Sequence, residues 1–343
     1  MNILLTSAGR RSYLVKYFKD VLGNQGEVHV VNSSSYSTAM KHGDKSTESP
    51  LIYSEEYMPF LLMYCAENDI EAIVSLFDID LPILSSHVNE FAKIGVKVIV
   101  SSNDVITICN DKWLTFNYLK ENGFHTPNTF IAISEVMHAL ENDLIQFPLM
   151  VKPRWGMGSI AVFEVCNVEE LTILYNKTKT MIANSYLSFE SEESKEECIV
   201  IQEKLIGQEY GLDIINDLEG NYRTTISKKK LAMRSGETDI AETVQNPKLE
   251  QLGQKLSQSL KHIANLDVDV FLVENKPFIL EMNARFGGGY PFSHLAGVNL
   301  PKAIIKWLRK EEVKPSLLEA RTGVIGYKDI EIIESGAKKI IVT

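Results

Sequence analysis

The chain has 343 residues and a formal net charge of −10, from 35 basic and 45 acidic side chains. Its length fits two or three domains at roughly 100–200 residues each, and 45% hydrophobic with 23% charged residues is ordinary for a globular protein. That composition excludes extensive disorder, and the acidic balance argues against nucleic acid as the main partner, although a local basic site still suits nucleotide phosphates.

The N-terminal third alternates short apolar runs with helix-like stretches. Residues 2–6 read as a buried strand and 7–11 as a turn, after which Tyr13, Leu14, Tyr17, Phe18 and Val21 recur at helical spacing. Residues 28–32, 72–76 and 96–100 read as further strands, with helical segments at 57–68 and 80–94. Strands alternating with helices at this spacing predict a parallel sheet with right-handed crossovers, hence an α/β fold. The longest apolar runs, Ile70–Phe77 and Val96–Val100 among them, are far short of the ~20 residues that span a bilayer. Met1–Ser7 holds no basic segment ahead of an apolar stretch, so no secretory signal and no membrane partner are expected. Cys65, Cys109, Cys166 and Cys198 stand far apart without a C-x-x-C pair, which argues against a thiolate metal site and for a reducing, cytoplasmic setting.

Two features follow strand ends in this region. The turn at Gly9 lacks the spacing G-x-G-x-x-G, so a dinucleotide fingerprint is absent. It either presents backbone N–H groups, Arg10 and Arg11 to an anion or is a plain turn with solvated arginines. Asp78 and Asp80 lie where ligands of open α/β sheets commonly sit, and helix capping explains Asp80 about as well.

The texture changes near Ser101–Asp104, where a helical segment (105–122) leads to Gly123 and Thr126-Pro127. Residues 147–153 form a strand carrying Lys152, and the loop after it holds Gly156, Gly158 and Ser159, which can fold backbone donors over phosphates. The acidic stretch 190–197 reads as a solvated loop ahead of a strand at 198–203. A polar hinge follows, with a backbone edge at Gln202, Glu203, Lys204 and Leu205 that can pair with an adenine, and Glu209 able to accept from a ribose hydroxyl. Lysines 228–230, Arg234 and Glu237 make a mixed-charge stretch that either lines a cleft or is an exposed basic strand.

The sharpest chemistry lies at 268–285. Two β-rich runs flank a turn-like Glu274-Asn275-Lys276, so the segment reads as a hairpin. Glu281, Asn283 and Arg285 are spaced by two and share a face. A three-residue loop (274–276) would set Asp269 directly across from Glu281. Two carboxylates and an amide oxygen are hard ligands that suit Mg²⁺, which is commonly completed by substrate phosphates. Arg285 cannot ligate a cation and would meet an anionic substrate or transition state. Downstream, Gly287–Gly289 allow close backbone approach, and His294 is either near the acceptor or a packed helix-start histidine.

In order along the chain, Asn110-Asp111-Lys112, Val151-Lys152-Pro153, the Gly-rich loop, Gln202–Leu205 and Glu281–Arg285 resemble the motifs of the ATP-grasp superfamily. The resemblance runs over about residues 1–310 and is similar above all to the carbamoyl-phosphate-synthase large-subunit and biotin-carboxylase branch. It implies a Rossmann-like pre-ATP-grasp domain over 1–104 and an ATP-grasp domain over 105–310. In the latter, a lid subdomain (about 125–200) and a catalytic subdomain (about 201–310) clamp ATP, and 311–343 form a small C-terminal extension. Carried over position by position, Lys112 and Lys152 are the phosphate-contacting lysines. The resemblance implies Gln202 as the hinge residue at the adenine amino group, backbone bonds from Glu203 and Leu205, and Glu209 as the ribose carboxylate. Asp269, Glu281 and Asn283 are implied as ligands of Mg²⁺ (or Mn²⁺), with Arg285 beside the acyl-phosphate chemistry. Lys230, Arg234 and Glu237 are implied at the carboxylate end of the cleft. The sequence departs from the branch it resembles in having room for one module only, and the biotin-carboxylase segment after the hinge is not reproduced.

The implied activity is an ATP-dependent carboxylate–amine ligase that forms an acyl phosphate and releases ADP and phosphate. Its partners would be a small-molecule carboxylate and an amine, and a homodimer is the base-rate expectation. Two rivals stand beside it: activation of bicarbonate or carbamate, and a catalytically silent nucleotide-binding module. The tail after Lys310, with a β-like stretch at 322–342, is expected to form a small extra sheet.

Overall fold

The structure, a computed structural model, describes residues 1–334. Strands β1 (Asn2–Thr6), β2 (Val28–Asn32), β3 (Lys45–Glu48), β4 (Ile70–Ser75) and β5 (Lys97–Ile99) form a sheet in the order β3-β2-β1-β4-β5. Every pairing in it is parallel, as the alternation of strands and helices predicts. Its central strands are apolar runs such as Ile3–Leu5 and Ala72–Val74, buried on both faces. The edge strand β3 escapes a periodicity reading because all four of its residues are polar and exposed. After β4, Asp80 is the first residue of the helix Asp80–Ser86 and makes no cap bond. Its buried carboxylate instead accepts from Thr6 Oγ1 (2.5 Å), Ser75 Oγ (2.8 Å) and the Tyr57 hydroxyl (2.8 Å).

The helical segment at 105–122 is two helices, Asn103–Asn110 and Lys112–Glu121. Asp111 breaks them and caps the second, accepting from the Trp113 and Leu114 N–H groups at 2.9 and 3.2 Å. A second sheet follows, antiparallel, from β6 (Thr129–Phe130), β7 (Leu149–Pro153), β8 (Phe163–Val165) and β9 (Ile199–Glu203) in the order β6-β9-β7-β8. All of β9 belongs to this sheet, and the expected subdomain division at about 200/201 falls inside that strand. The acidic stretch before β9 is not a plain loop: Leu187–Glu190 and Glu192–Glu197 are short helical turns.

The third sheet is antiparallel and holds β10 (Gln208–Asn216), β11 (Tyr222–Arg234), β12 (Glu237–Val244), β13 (Asn265–Val273), β14 (Lys276–Asn283) and β15 (Ile325–Tyr327). Their order is β14-β13-β10-β11-β12-β15. The C-terminal extension thus adds an edge strand to this sheet instead of building its own, and the expectation for 335–342 lies outside the described residues. Helix Pro247–Leu260 lays Leu249, Leu252, Leu256 and Leu260 on Leu212, Leu266 and Val268 of the sheet, a stripe at helical spacing. One apolar cluster unites Ile3, Leu5 and Val28 of the first sheet with Ile215, Phe286 and Ile304. That shared core holds the first sheet's strand ends against the third sheet. Among the described residues no helix is long and apolar enough to cross a membrane.

Candidate active site

The hairpin β13–β14 turns on Glu274 and Asn275, both at positive φ (48° and 64°), so its loop has two residues and not the expected three. Val273 pairs with Lys276 and Val270 with Ile279; an extra residue at Leu280 then shifts the register. As a result Asp269 pairs with Glu281 and Asp267 with Asn283. The expected apposition of Asp269 and Glu281 is reached by a bulge and not by the loop length. Met282 and Ala284 point into the core, while Glu281 and Asn283 line the cleft.

A cavity of about 390 Å³ lies between the second and third sheets. Lys112, Lys152, Gly156, Gly158, Ser159, Gln202, Glu203, Lys204, Leu205 and Glu209 all line it, together with Asp269 and Glu281. Lys152 is buried and donates to Gln202 Oε1 at 2.6 Å, and Gln202 Nε2 donates to Thr129 Oγ1 at 2.7 Å. Both ends of the Gln202 amide are therefore engaged, and the side chain positions Lys152. The Glu203 N–H donates to the Asn128 carbonyl (3.0 Å), while the peptide groups of Lys204 and Leu205 have no backbone partner among the described residues. Burial, helped by Lys112, pushes the Lys152 ammonium down to about 8 against the pull of Glu281 and Asp269. Lys112 Nζ donates to the Gly156 carbonyl at 2.7 Å and stands 4.0 Å from Glu281 Oε1.

A second cavity of about 430 Å³ shares Met157, Gly158, Gly236, Asp269 and Glu281 with the first. It also meets Arg10, Arg11, Lys228, Lys230, Glu237, Asn283 and Arg285. Lys230 bridges Glu209 Oε1 (2.6 Å) and Asp269 Oδ1 (2.7 Å), and the two carboxylates outweigh burial to raise its pKa. Burial pushes the Asp269 carboxyl up to about 6 although Lys230 opposes it. Arg285 lies just past β14 and donates to Asp78 Oδ2 (3.1 and 3.0 Å) and to Asp267 Oδ2 (3.1 Å). Glu237 pairs with Lys328 at 3.0 Å; burial raises its pKa, but Lys328, Arg11 and Arg10 prevail and hold it low.

Arg234 is not brought in. It is half exposed and pairs with Asp239 at 2.7 Å, outside the lining of both cavities. The cause is local: the pairing of β11 with β12 shifts register on either side of Ala232, so Met233 reaches the first cavity and Arg234 turns outward. His294 is likewise away from the cleft, its ring stacked on Tyr17 with centroids 3.6 Å apart.

For a divalent cation the available donors are Asp269, Glu281 and the Asn283 amide oxygen. Among the described residues no group of three or more His, Cys, Asp and Glu side chains is placed to hold a metal alone. Two carboxylates and an amide fit Mg²⁺, whose shell is commonly completed by water and phosphate oxygens. The residues present therefore suit that ion.

Some cleft residues are not singled out by the sequence reading. Lys228 is fully buried against Asp213, which also accepts from Asn265 Nδ2 at 3.1 Å. Its signal is alternation, because a strand that turns Lys230 to the cleft also turns Lys228 there. Asp267 shares that logic with Asp269. Thr129, which anchors Gln202, carries no local signal at all.

Residues 3–99 match a family model described as PylC-like, N-terminal domain, and residues 195–328 one described as ATP-grasp in the biosynthetic pathway with Ter operon. The carbamoyl phosphate synthase large chain of Pseudothermotoga lettingae is 24% identical over 311 residues, 85% of this chain and 26% of that one. The glutamate–LysW ligase ArgX of Sulfurisphaera tokodaii is 31% identical over 116 residues, 32% of this chain and 40% of that one. The chain thus spans well under half the length of the curated relatives it matches. Among solved structures, a biotin carboxylase from Campylobacter jejuni superposes with a TM-score of 0.74 at 16% identity, covering 94% of this chain and 74% of that one. At that identity the likeness is one of fold.

Proposed function

We propose that this chain, which belongs to the ATP-grasp superfamily and carries a PylC-like N-terminal domain, is an ATP- and Mg²⁺-dependent carboxylate–amine ligase. The observation that carries the reading is the meeting of two cavities at Asp269 and Glu281. One is lined by Lys112, Lys152, Lys204 and a Gly-rich loop, the other by Arg285 and further cations. In this reading residues 1–104 and 105–310 are the two domains, with the β6–β9 sheet as the lid over the nucleotide.

A carboxylate is a poor acyl donor because its leaving group would be oxide. Transfer of the γ-phosphoryl group of ATP to a carboxylate oxygen makes an acyl phosphate and ADP. An amine then attacks the acyl carbon, forms the C–N bond and expels phosphate. Lys112 and Lys152 bind and orient the phosphates, and Arg285 meets the negative charge that develops during acyl transfer. Asp269, Glu281 and Asn283 would hold Mg²⁺ (or Mn²⁺), which when bound offsets phosphate charge. The Gly-rich loop, packed on Gly236 at the tip of β11–β12, excludes water that would hydrolyse the acyl phosphate.

The test is ADP release from ATP and Mg²⁺ across a panel of amino acids and small carboxylates, each with and without an amine. Release that needs both a carboxylic acid and an amine supports the ligase. Release with bicarbonate alone supports the carbamoyl-phosphate-synthase-like rival, and nucleotide binding without release under any condition supports the silent module.

A further inference from the structure

Charge is unevenly matched in the 430 Å³ cavity. Five basic side chains line it, and three have carboxylate partners: Lys228 with Asp213, Lys230 with Glu209 and Asp269, Arg285 with Asp78 and Asp267. Arg10 and Arg11 have no ion-pair partner among the described residues. Arg11 donates to the Leu76 carbonyl, and Glu237, whose charge reaches both arginines, is in contact with Lys328 instead. Burial, then the nearby Arg285, push the Arg11 pKa down against the pull of Tyr13, Asp78 and Asp267, whereas Arg10 beside it is exposed at the cavity mouth. A desolvated guanidinium without an anion is costly, and the cost is relieved when an anion arrives.

The turn that carries these arginines is held from the β2 side. The Gly9 N–H donates to Asn32 Oδ1 (3.2 Å), and the Gly9 carbonyl accepts from Ser37 Oγ (2.6 Å) and the Ala39 N–H (3.1 Å). Ser7 and Gly9 sit at φ of 51° and 54°, a left-handed backbone that a non-glycine residue seldom adopts. The arginines are therefore presented on a fixed turn. The same cavity is lined by Glu281, Asn283 and Arg285 of the hairpin. There the excess is of the other sign, since Asp78 and Asp267 share one guanidinium and Glu209 and Asp269 share one ammonium.

We infer that Arg10 and Arg11 form the receptor for an anionic substituent, carboxylate or phosphate, that one substrate carries in addition to its reacting group. The inference rests on the ligase reading for calling that ligand a substrate. It narrows the substrate class to acid-bearing molecules, such as an amine acceptor that keeps a free carboxylate or phosphate while its nitrogen is acylated. Decarboxylated or amidated counterparts are then poor substrates, because the arginines stay unmatched.

The first test needs no known substrate. The full chain, saturated with ADP and Mg²⁺, is treated with phenylglyoxal, and adduct formation at each arginine is followed by mass spectrometry with inorganic phosphate, with malonate or with neither. At about ten times the dissociation constant, mass action expects roughly tenfold slower labelling at Arg10 and Arg11, with surface Arg223 and Arg309 unaffected. Stronger protection by phosphate assigns a phosphate substituent, and stronger protection by malonate assigns a carboxylate. Labelling that neither anion changes overturns the receptor. The second test uses the substrate found by ADP release. Arg10→Leu should raise its KM about 10–100-fold, the range for losing a charge-assisted contact worth roughly 1.5–3 kcal/mol. The dissociation constant for ATP and the KM of the neutral amide analogue should not move. Turnover of the neutral amide as efficient as that of the acid by the unaltered chain overturns the inference. If no acid–amine pair releases ADP, the ligase reading fails while the labelling result still decides the anion receptor.

Discussion

Arg285 and Asp78 lie 207 positions apart in the chain, yet Arg285 donates both Nε and Nη2 to Asp78 Oδ2 at 3.1 and 3.0 Å. Both side chains are buried, and Asp267 takes the remaining guanidinium edge. An arginine at the end of the hairpin is thus aimed by a carboxylate from the end of the first sheet. This ties the N-terminal sheet to the chemistry of the cleft.

Replacing that arginine should act on stability and on rate. Arg285→Ala leaves Asp78 and Asp267 without their shared cation, and removing one partner of a buried pair costs about 3–5 kcal/mol. Loss of an oxyanion donor, on the scale of ~3 kcal/mol, should also slow turnover about a hundredfold. Nucleotide binding should be nearly unchanged. Urea unfolding, calorimetry with ATP and ADP release on one preparation check all three. A variant with full turnover would remove Arg285 from the mechanism.

Lys152 gives a pH dependence with a definite sign. Its folded pKa of about 8 lies below the 10.5 of a free lysine. Between these values the unfolded chain binds more protons, so this group adds stability as pH rises through that window. Phosphate binding needs the protonated form, so ATP affinity should fall as pH rises through about 8. In Lys152→Met the affinity should be lower throughout and the fall should vanish, as measured by calorimetry at several pH values.

Glu281→Gln keeps an oxygen donor but removes a charge opposite Asp269. The melting temperature should move little, because the side chain lines a cavity and lies outside the core. The Mg²⁺ concentration for half-maximal ADP release should rise, on the order of tenfold for one lost carboxylate. An unchanged Mg²⁺ titration would take Glu281 out of the ligand set.

The buried pair Lys228–Asp213 should be strongly asymmetric under mutation. Lys228→Met strands a carboxylate that is fully buried, at a cost of about 3–5 kcal/mol in urea unfolding. Removing both charges with Asp213→Leu should recover much of that loss. A single variant as stable as the unaltered chain would contradict the pairing.

Gly236 reports on the lid. A Cβ there would stand 2.4 Å from Ser159 Oγ, and its φ of +78° disfavours any side chain. Gly236→Val should push the Gly-rich loop from the tip of β11–β12 and raise the KM for ATP more than it lowers thermal stability. Equal kinetics would show that this contact does not matter for closure.

Much of this protein is decided locally and is legible in its sequence. Apolar strands alternating with helices specify the parallel first sheet, because a crossover helix can cover such a sheet in few ways. Alternation by two sets Glu281 and Asn283 on the cleft face with Met282 in the core, since a pleated strand allows nothing else. What lies beyond the reach of the sequence depends on breaks in that period and on distance through space. The bulge at Leu280, and not a longer loop, sets Asp269 against Glu281, and the register shifts around Ala232 turn Arg234 away while Lys228 and Lys230 stay in the cleft. A bulge leaves no periodic trace, because its extra residue is chosen by the fit of the strand to its neighbours. The partnership of Asp78 with Arg285 and the want of an ion-pair partner for Arg10 and Arg11 among the described residues belong to the tertiary structure alone. Charge pairing is a matter of a few ångströms, and only the folded chain brings the strand ends of the first sheet within reach of the hairpin.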